Sequence, residues 1–121
     1  MDQQTNLDLL VKSSRQAREA AAMLKAMANE CRLLVLCHLA ASGELSVGQL
    51  AERVDLGQSA LSQHLARLRE EGLVRTRKQA QTVYYSLCDP KAERVLILLH
   101  DLFCPELGSD EAGGHQGRQS A

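Results

Sequence analysis

Residues 46–87 constrain the fold of this 121-residue chain more than any other segment, because helix signals and strand signals follow one another there at short intervals. Ser46 and Gln49 have the spacing of a capping box, in which each side chain bonds to the other residue's backbone at a helix start. This pattern predicts a helix over 47–54. The turn 55–57 that follows is short enough to hold the next helix at a steep angle, as in a helix-turn-helix unit.

The second helix of this unit is predicted over 58–71, and Gly72 ends it. After the glycine, segments 73–78 and 82–87 are rich in β-branched and aromatic residues and flank a polar tip, which predicts a β-hairpin. A helix-turn-helix followed at once by a hairpin is typical of a winged helix.

The helix over 58–71 is predicted to have one buried and one polar side. Leu61, Leu65 and Leu68 fall on one stripe, whereas the opposite side carries short polar side chains that can donate or accept hydrogen bonds in a major groove. His64 lies at the edge of the apolar stripe, so we expect a boundary histidine and not a base contact. The candidate DNA-contacting residues of this helix are Ser59, Ala60, Ser62, Gln63 and Arg67.

Positive charge is concentrated in this region although the whole chain has a net charge of −1. Segment 58–81 contains five Lys or Arg residues and two Glu residues, a surplus of three positive charges where phosphates would lie. Side chains of the hairpin are expected to contact phosphate or the adjacent minor groove, giving affinity more than sequence information. These hairpin candidates are Arg75, Arg77, Lys78, Gln79 and Gln81.

Helical spacing of apolar residues predicts three further helices, over 6–27, 30–41 and 89–104. In the helix over 30–41 we expect Leu33, Leu34, Leu36 and Cys37 on the buried side. Residues 106–121 contain four glycines and no apolar periodicity, which predicts a disordered tail. One mainly α-helical domain, residues 6–105, therefore accounts for the rest of the chain.

The last helix, residues 89–104, is apolar nearly all round. Val95, Leu99 and Leu102 form one stripe, yet Ile97 and Phe103 lie outside it. A helix of this kind must be covered on two sides, and the alanine-rich first helix is a plausible companion. We therefore expect a homodimer formed through the first and last helices.

Composition excludes several classes of protein. No apolar run approaches the roughly 18 residues needed to span a bilayer, and the N-terminus lacks a basic segment, so we expect a cytosolic protein with no membrane partner. Thiols are kept reduced in that compartment, so the four cysteines are free thiols, metal ligands or redox sensors. We find no glycine-rich phosphate loop, paired carboxylates or activated nucleophile, and expect neither an enzyme nor a cofactor.

Several blocks of the sequence, in one order, resemble the ArsR/SmtB family of winged-helix repressors. The resemblance covers roughly residues 23–105. It implies four helices, a two-stranded wing and a fifth helix, assembled as a homodimer that binds double-stranded operator DNA and releases it when an effector arrives. The blocks are 24–28, 32–37, 43–50, 59–74 and 81–86.

The metal sites common in that family are absent from the pattern of this chain. Metal-sensing relatives often carry a Cys-Val-Cys pair where this chain has Ser46 and Gly48. A second common site needs histidines near the start of the last helix, where this chain has none. We therefore expect no metal at these positions.

Cys37 and Cys104 resemble the thiol pair of the persulfide-sensing branch, of the BigR, SqrR and YgaV type. That resemblance implies that a reactive sulfur species bridges the two thiols and that the repressor then leaves DNA, so that sulfide-detoxification genes are expressed. We further hypothesise that His100, four residues before Cys104, helps to ionise it.

Other interpretations of the thiols remain open from the sequence. Cys37 could be a small core residue, and a winged-helix protein could lack a sensor altogether. A metal sensor with a non-standard Cys/His site and a disulfide-forming oxidation sensor are further alternatives. Cys31 and Cys88 have no counterpart in the branch and are expected to be incidental or accessory.

Overall fold

The computed structural model describes residues 3–104 and contains six helices and three strands within them. The order of elements confirms the predicted winged helix-turn-helix. The predicted tail, 106–121, and the last domain residue, Pro105, lie outside the described residues. The elements are α1 (Gln3–Lys12), α2 (Ser14–Met27), α3 (Glu30–Ser42), β1 (Leu45–Ser46), α4 (Val47–Val54), α5 (Gln58–Glu70), β2 (Val74–Gln79), β3 (Thr82–Leu87) and α6 (Pro90–Phe103).

Local capping signals locate most helix ends correctly. The capping box at α4 is complete, with Ser46 Oγ accepting from the backbone of Gln49 and the Gln49 side chain accepting from Ser46. Asp89 caps α6, whose first residue is Pro90. Gly72, just past α5, has a φ of 77°, a left-handed conformation in which a side chain is strained.

The single helix predicted over 6–27 is wrong, because the chain breaks at Ser13. The Ser13 side chain accepts a hydrogen bond from the backbone N–H of Gln16 and caps α2. Apolar periodicity continues on both sides of the break, and this continuity hid the cap from a prediction based on spacing.

The predicted two-stranded wing is extended to three strands. β1 pairs with β3 through Leu45 opposite Tyr85 and Ser46 opposite Tyr84, so the antiparallel sheet has the order β1-β3-β2. A strand of two residues has no periodicity of its own and depends on a partner distant in sequence, which explains its absence from the prediction.

One apolar core joins the helices to the base of the sheet. α5 contributes Leu61, Leu65 and Leu68, as predicted, and the core closes on β2. The other buried residues are Ala26, Met27, Val35, Leu36, Leu39, Leu45, Leu50, Leu73, Val74, Ala92 and Leu96.

The predicted buried side of α3 is partly wrong. Val35 and Leu39 are buried, whereas Leu34 and Cys37 are exposed. The guanidinium of Arg32 lies where the apolar stripe would continue: its Nε donates to the carbonyl of Ala26 at 2.5 Å. A charged residue on the inner side shifts the helical phase away from the one that hydrophobicity alone suggests.

The predicted stripe of α6 is also shifted. Ala92 and Leu96 are buried and Val95 packs against the core, but Leu102 is 62% exposed. None of the helices in residues 3–104 is both long and apolar enough to cross a membrane.

Candidate DNA interface and thiol pair

The outer face of α5 is formed by the polar residues that the sequence singled out. Ser59, Ala60, Ser62 and Gln63 are all exposed, on the side opposite the buried leucines. The N-cap of α5 is Gly57, which has no side chain to accept a hydrogen bond from the first turn of the helix. Backbone N–H groups at such an end attract phosphate oxygens, so this end of α5 suits contact with a DNA backbone.

Arg67 is the least available of the predicted contacts on α5. It is half-buried, and its Nε lies 3.9 Å from a carboxylate oxygen of Glu71 one helical turn later. At that distance and exposure the pair is weak, so Arg67 can turn toward a phosphate at little cost in free energy.

His64 is a boundary residue, as expected. It is half-buried, and its Nδ1 lies 3.4 Å from Arg32 Nη1. Because the guanidinium can only donate, this contact requires an unprotonated Nδ1. Arg32 also donates to the carbonyls of Ala26 and Lys25, so one side chain of α3 links the end of α2 to α5.

The wing presents alternate residues of β2 on its two faces. Arg75, Arg77 and Gln79 share one face, opposite Ser86, Tyr84 and Thr82 of β3. Lys78 is on the other face, and Gln81 lies in the two-residue turn beside Ala80, whose φ is 56°. All five predicted hairpin contacts are exposed.

Arg77 differs from the other wing cations because it is already paired. Its Nε and Nη2 donate to the two carboxylate oxygens of Glu44 at 2.9 and 2.8 Å. Within residues 3–104, neither Arg75 nor Lys78 forms a salt bridge. Glu44 was not among the predicted site residues.

The two candidate sensing thiols lie on helices that contact each other. Cys37 is on the exposed side of α3, and Cys104 is the C-cap of α6, where its N–H donates to the carbonyl of His100 at 2.8 Å. Although Cys37 as a residue is exposed, neighbouring atoms partly cover its thiol; this partial burial raises the pKa of the Cys37 thiol above the ordinary value of 9.0, and the charge of Cys104 raises it further.

The pH dependence of alkylation should report this environment. We expect the rate of Cys37 modification by iodoacetamide to reach half its plateau above pH 9.0, because the thiolate is the reactive form. In Cys104→Ser the midpoint should fall only in part, since burial is the larger cause. Quenched reactions followed by peptide mass spectrometry measure the rate at Cys37. A midpoint at or below the ordinary value in the parent would contradict the environment described here.

Two histidines, His38 and His100, lie close in sequence to the candidate thiols, and each has a charged neighbour. His100 Nδ1 lies 3.6 Å from a carboxylate oxygen of Asp101, and ionisation of Cys104 by His100 stays a prediction. His38, next to Cys37 in sequence, has its pKa lowered by burial and by the charge of Arg53, which favours a neutral ring. His38 is therefore a poor source of positive charge for Cys37.

The remaining cysteines lie elsewhere in the fold. Cys31 is half-buried in the first turn of α3, and the exposed Cys88 donates through Sγ to the carbonyl of Gly72 at 3.4 Å. Within residues 3–104, no three His, Cys, Asp or Glu side chains are grouped so that they could hold a metal ion.

Comparisons with known proteins agree on one family. A family model described as bacterial regulatory protein, arsR family, matches residues 29–76, which span α3 to the first part of β2. The transcriptional activator HlyU of Vibrio cholerae serotype O1 is 53% identical over 95 residues, 78% of this chain and 87% of that protein. The regulator YgaV of Escherichia coli is 41% identical over 96 residues, 79% of this chain and 97% of that protein.

Solved structures give the same result. Reduced HlyU from Vibrio cholerae N16961 superposes with a TM-score of 0.71 at 54% identity, covering 74% of this chain and 94% of that one. The repressor BigR from Xylella fastidiosa superposes with a TM-score of 0.70 at 39% identity, covering 74% and 91%.

Proposed function

The chain belongs to the arsR family of bacterial regulatory proteins, and we propose that it is a repressor which leaves its operator when a reactive sulfur species bridges Cys37 and Cys104. It is a DNA-binding transcriptional regulator, like its relatives. The observation that supports the sulfur response most is the contact between α3, which carries Cys37, and α6, which ends at Cys104, and the contribution of Cys104 to the raised pKa of Cys37 agrees with it.

The chemistry follows from the different environments of the two thiols. Since Cys37 resists ionisation, we assign the first attack to the Cys104 thiolate, which takes the outer sulfur of glutathione persulfide and releases glutathione. A second glutathione persulfide extends this persulfide by one sulfur atom and releases a second glutathione. Cys37 then attacks the middle sulfur of the resulting Cys104–S–S–SH chain, hydrosulfide leaves, and a trisulfide with one added sulfur joins the two cysteines. The donor's sulfur is the oxidant, and the released thiol and hydrosulfide carry away the electrons.

The bridge would act on DNA through α3 and α6. It fixes the separation of two helices, one of which packs on the recognition helix α5. A coupling of about 1 to 3 kcal/mol between bridging and DNA affinity corresponds to a loss of up to roughly 150-fold, which is enough for derepression.

The DNA surface in this proposal consists of the outer face of α5 and the wing. Ser59, Ala60, Ser62 and Gln63 contact base edges, and Arg67 contacts phosphate. In the wing, the exposed cations Arg75 and Lys78 contact phosphate, with Gln79 and Gln81 beside them.

We also propose that the dimer forms through α1, α2 and α6. Large apolar side chains are exposed on all three helices, and those of α6 lie on the side that faces away from the core of the protomer. An exposed apolar surface of this kind indicates an interface. These residues are Leu7, Leu9, Val11, Leu24, Ile97, Leu98, Leu102 and Phe103.

A charge in this surface should separate the protomers. We expect Leu98→Glu to reduce the free energy of dimerisation by about 3 to 5 kcal/mol for each charge buried without a partner. Analytical ultracentrifugation should then show monomers at micromolar concentration. Glu52→Lys, a change at an exposed position on α4, should remain dimeric. A dimeric Leu98→Glu protein would contradict the proposed interface.

A disulfide between the same cysteines is the second candidate response. It is suggested by a solved relative that is described as reduced HlyU, a form defined by its oxidation state. Both bridges join the same two cysteines and differ only in the number of sulfur atoms, so the effector must be tested directly.

The test compares two effectors on one protein. The reduced full-length protein first selects a duplex from a random-sequence library, and this selected duplex is used for fluorescence anisotropy. Glutathione persulfide should lower affinity and give an intact mass that contains extra sulfur and lacks two hydrogens. Loss of affinity only with diamide, with no added sulfur, would favour the disulfide sensor, and unchanged affinity with both would contradict any thiol response.

A further inference from the structure

We infer that Glu44 and Arg77 are positioning residues that hold the wing for DNA binding, and that Arg77 does not neutralise a phosphate. This inference rests on the proposed contact between the wing and DNA. It changes the role expected for Arg77 from its sequence and assigns a role to Glu44.

The contact between the two side chains is bidentate. Both oxygens of the Glu44 carboxylate accept from Arg77, at 2.9 Å from Nε and 2.8 Å from Nη2. The third nitrogen, Nη1, donates to Oε1 of Gln79 at 2.7 Å. The guanidinium carbon also lies 4.7 Å from the centre of the Tyr84 ring. Partners on three sides leave the guanidinium little freedom to turn toward another anion.

Geometry makes this pair stronger than an ordinary surface ion pair. Exposed salt bridges generally contribute little, but a planar guanidinium with two parallel bonds to one carboxylate is the exception. Hydrogen bonds from Arg77 lower the pKa of Glu44, and those to Glu44 raise the pKa of Arg77. Both groups are therefore charged at neutral pH.

The pair crosses the full width of the sheet. Glu44 lies between Gly43, the C-cap of α3, and the first residue of β1, whereas Arg77 is in β2. Because β3 lies between those strands, the contact ties one edge of the sheet to the other. A hairpin held this way keeps a fixed angle to α3 and to the helix-turn-helix unit. Arg53 of α4 strengthens the same corner by donating to Ser42 Oγ at 2.9 Å.

The salt dependence of DNA binding can distinguish a positioning role of Arg77 from a phosphate contact. A cation that neutralises a phosphate releases a counterion, so its loss should reduce the slope of log affinity against log salt by about 0.9. Arg77 is already matched by Glu44, so its loss should leave this slope unchanged. Removal of Glu44 distinguishes the roles further: if Arg77 were a phosphate contact, the loss of Glu44 would free it and tighten binding, whereas a positioning role predicts weaker binding.

The experiment uses the reduced full-length dimer and the selected duplex, with anisotropy measured over a range of KCl concentrations. We expect Glu44→Gln and Arg77→Gln each to weaken binding about tenfold at unchanged slope, within the coupling usual for residues in contact. The double variant should be no weaker than either single variant. Matched controls are Arg75→Gln and Lys78→Gln, which should each reduce the slope by about 0.9.

Opposite outcomes would overturn the inference. These are tighter binding by Glu44→Gln, a slope reduced in Arg77→Gln as in the controls, additive losses in the double variant, or unchanged affinity in both single variants. Unchanged slopes in both controls would contradict the phosphate contacts of the wing instead. In that case the comparison of Glu44→Gln with the double variant still decides whether the pair acts as a unit.

Discussion

Replacing either Cys37 or Cys104 with serine is expected to make DNA affinity insensitive to glutathione persulfide, whereas the parent loses up to roughly 150-fold. Serine keeps the size and polarity of the position but cannot join a sulfur chain. In Cys37→Ser, the thiol of Cys104 should still gain sulfur without closing a bridge. Anisotropy on the selected duplex and intact mass measure these two effects on the same samples.

Cys31→Ser and Cys88→Ser are the matched controls for this prediction. Neither residue takes part in the proposed bridge, so both variants should respond as the parent does. A persulfide response retained in Cys104→Ser would show that another thiol reacts with the effector. A response lost in Cys88→Ser would show that the Cys88 thiol, which donates to the carbonyl of Gly72, takes part in the response.

Leu65→Ala is expected to reduce the free energy of unfolding by about 2 to 5 kcal/mol, the usual cost of truncating a buried leucine. Leu65 is 1% exposed and lies at the centre of the buried stripe of α5. Removal of its side chain leaves a cavity between α5 and the rest of the core. Urea denaturation followed by circular dichroism gives the value, with all variants at one protomer concentration because the proposed dimer would contribute to stability.

Gln63→Ala is the control for the opposite face of the same helix. Its side chain is exposed, so stability should change by no more than about 0.5 kcal/mol, while affinity for the selected duplex falls. Equal losses of stability in Leu65→Ala and Gln63→Ala would contradict the assignment of inner and outer faces on α5.

Features that depend on neighbours in sequence could be predicted well. The capping box of Ser46 and Gln49 and the start of α6 at Asp89 and Pro90 are local signals, and both are present in the structure. The buried stripe of α5 was also predicted correctly, since its leucines are spaced regularly and no charged residue interrupts them.

Features that depend on distant residues could not be predicted. Arg32 shifts the phase of α3 because its guanidinium bonds to the end of α2 and approaches His64, contacts that hydrophobic spacing cannot reveal. Glu44 and Arg77 are 33 residues apart, and each alone looks like an ordinary surface charge. The exposure of Cys37 follows from the same shift, and it places the thiol where an effector can reach it.

The position of Cys104 as the C-cap of α6 bears on which bridges the proposed thiol pair could form. Cys37 is fixed in the middle of α3, where movement of its backbone would break helical hydrogen bonds, but Cys104 is held to α6 by one bond from its N–H to His100. Release of that bond lets the terminal residue swing without unwinding the helix. We therefore expect the same two cysteines to be joined by bridges with different numbers of sulfur atoms. The response would then depend on whether sulfane sulfur is present and little on how many sulfur atoms are inserted.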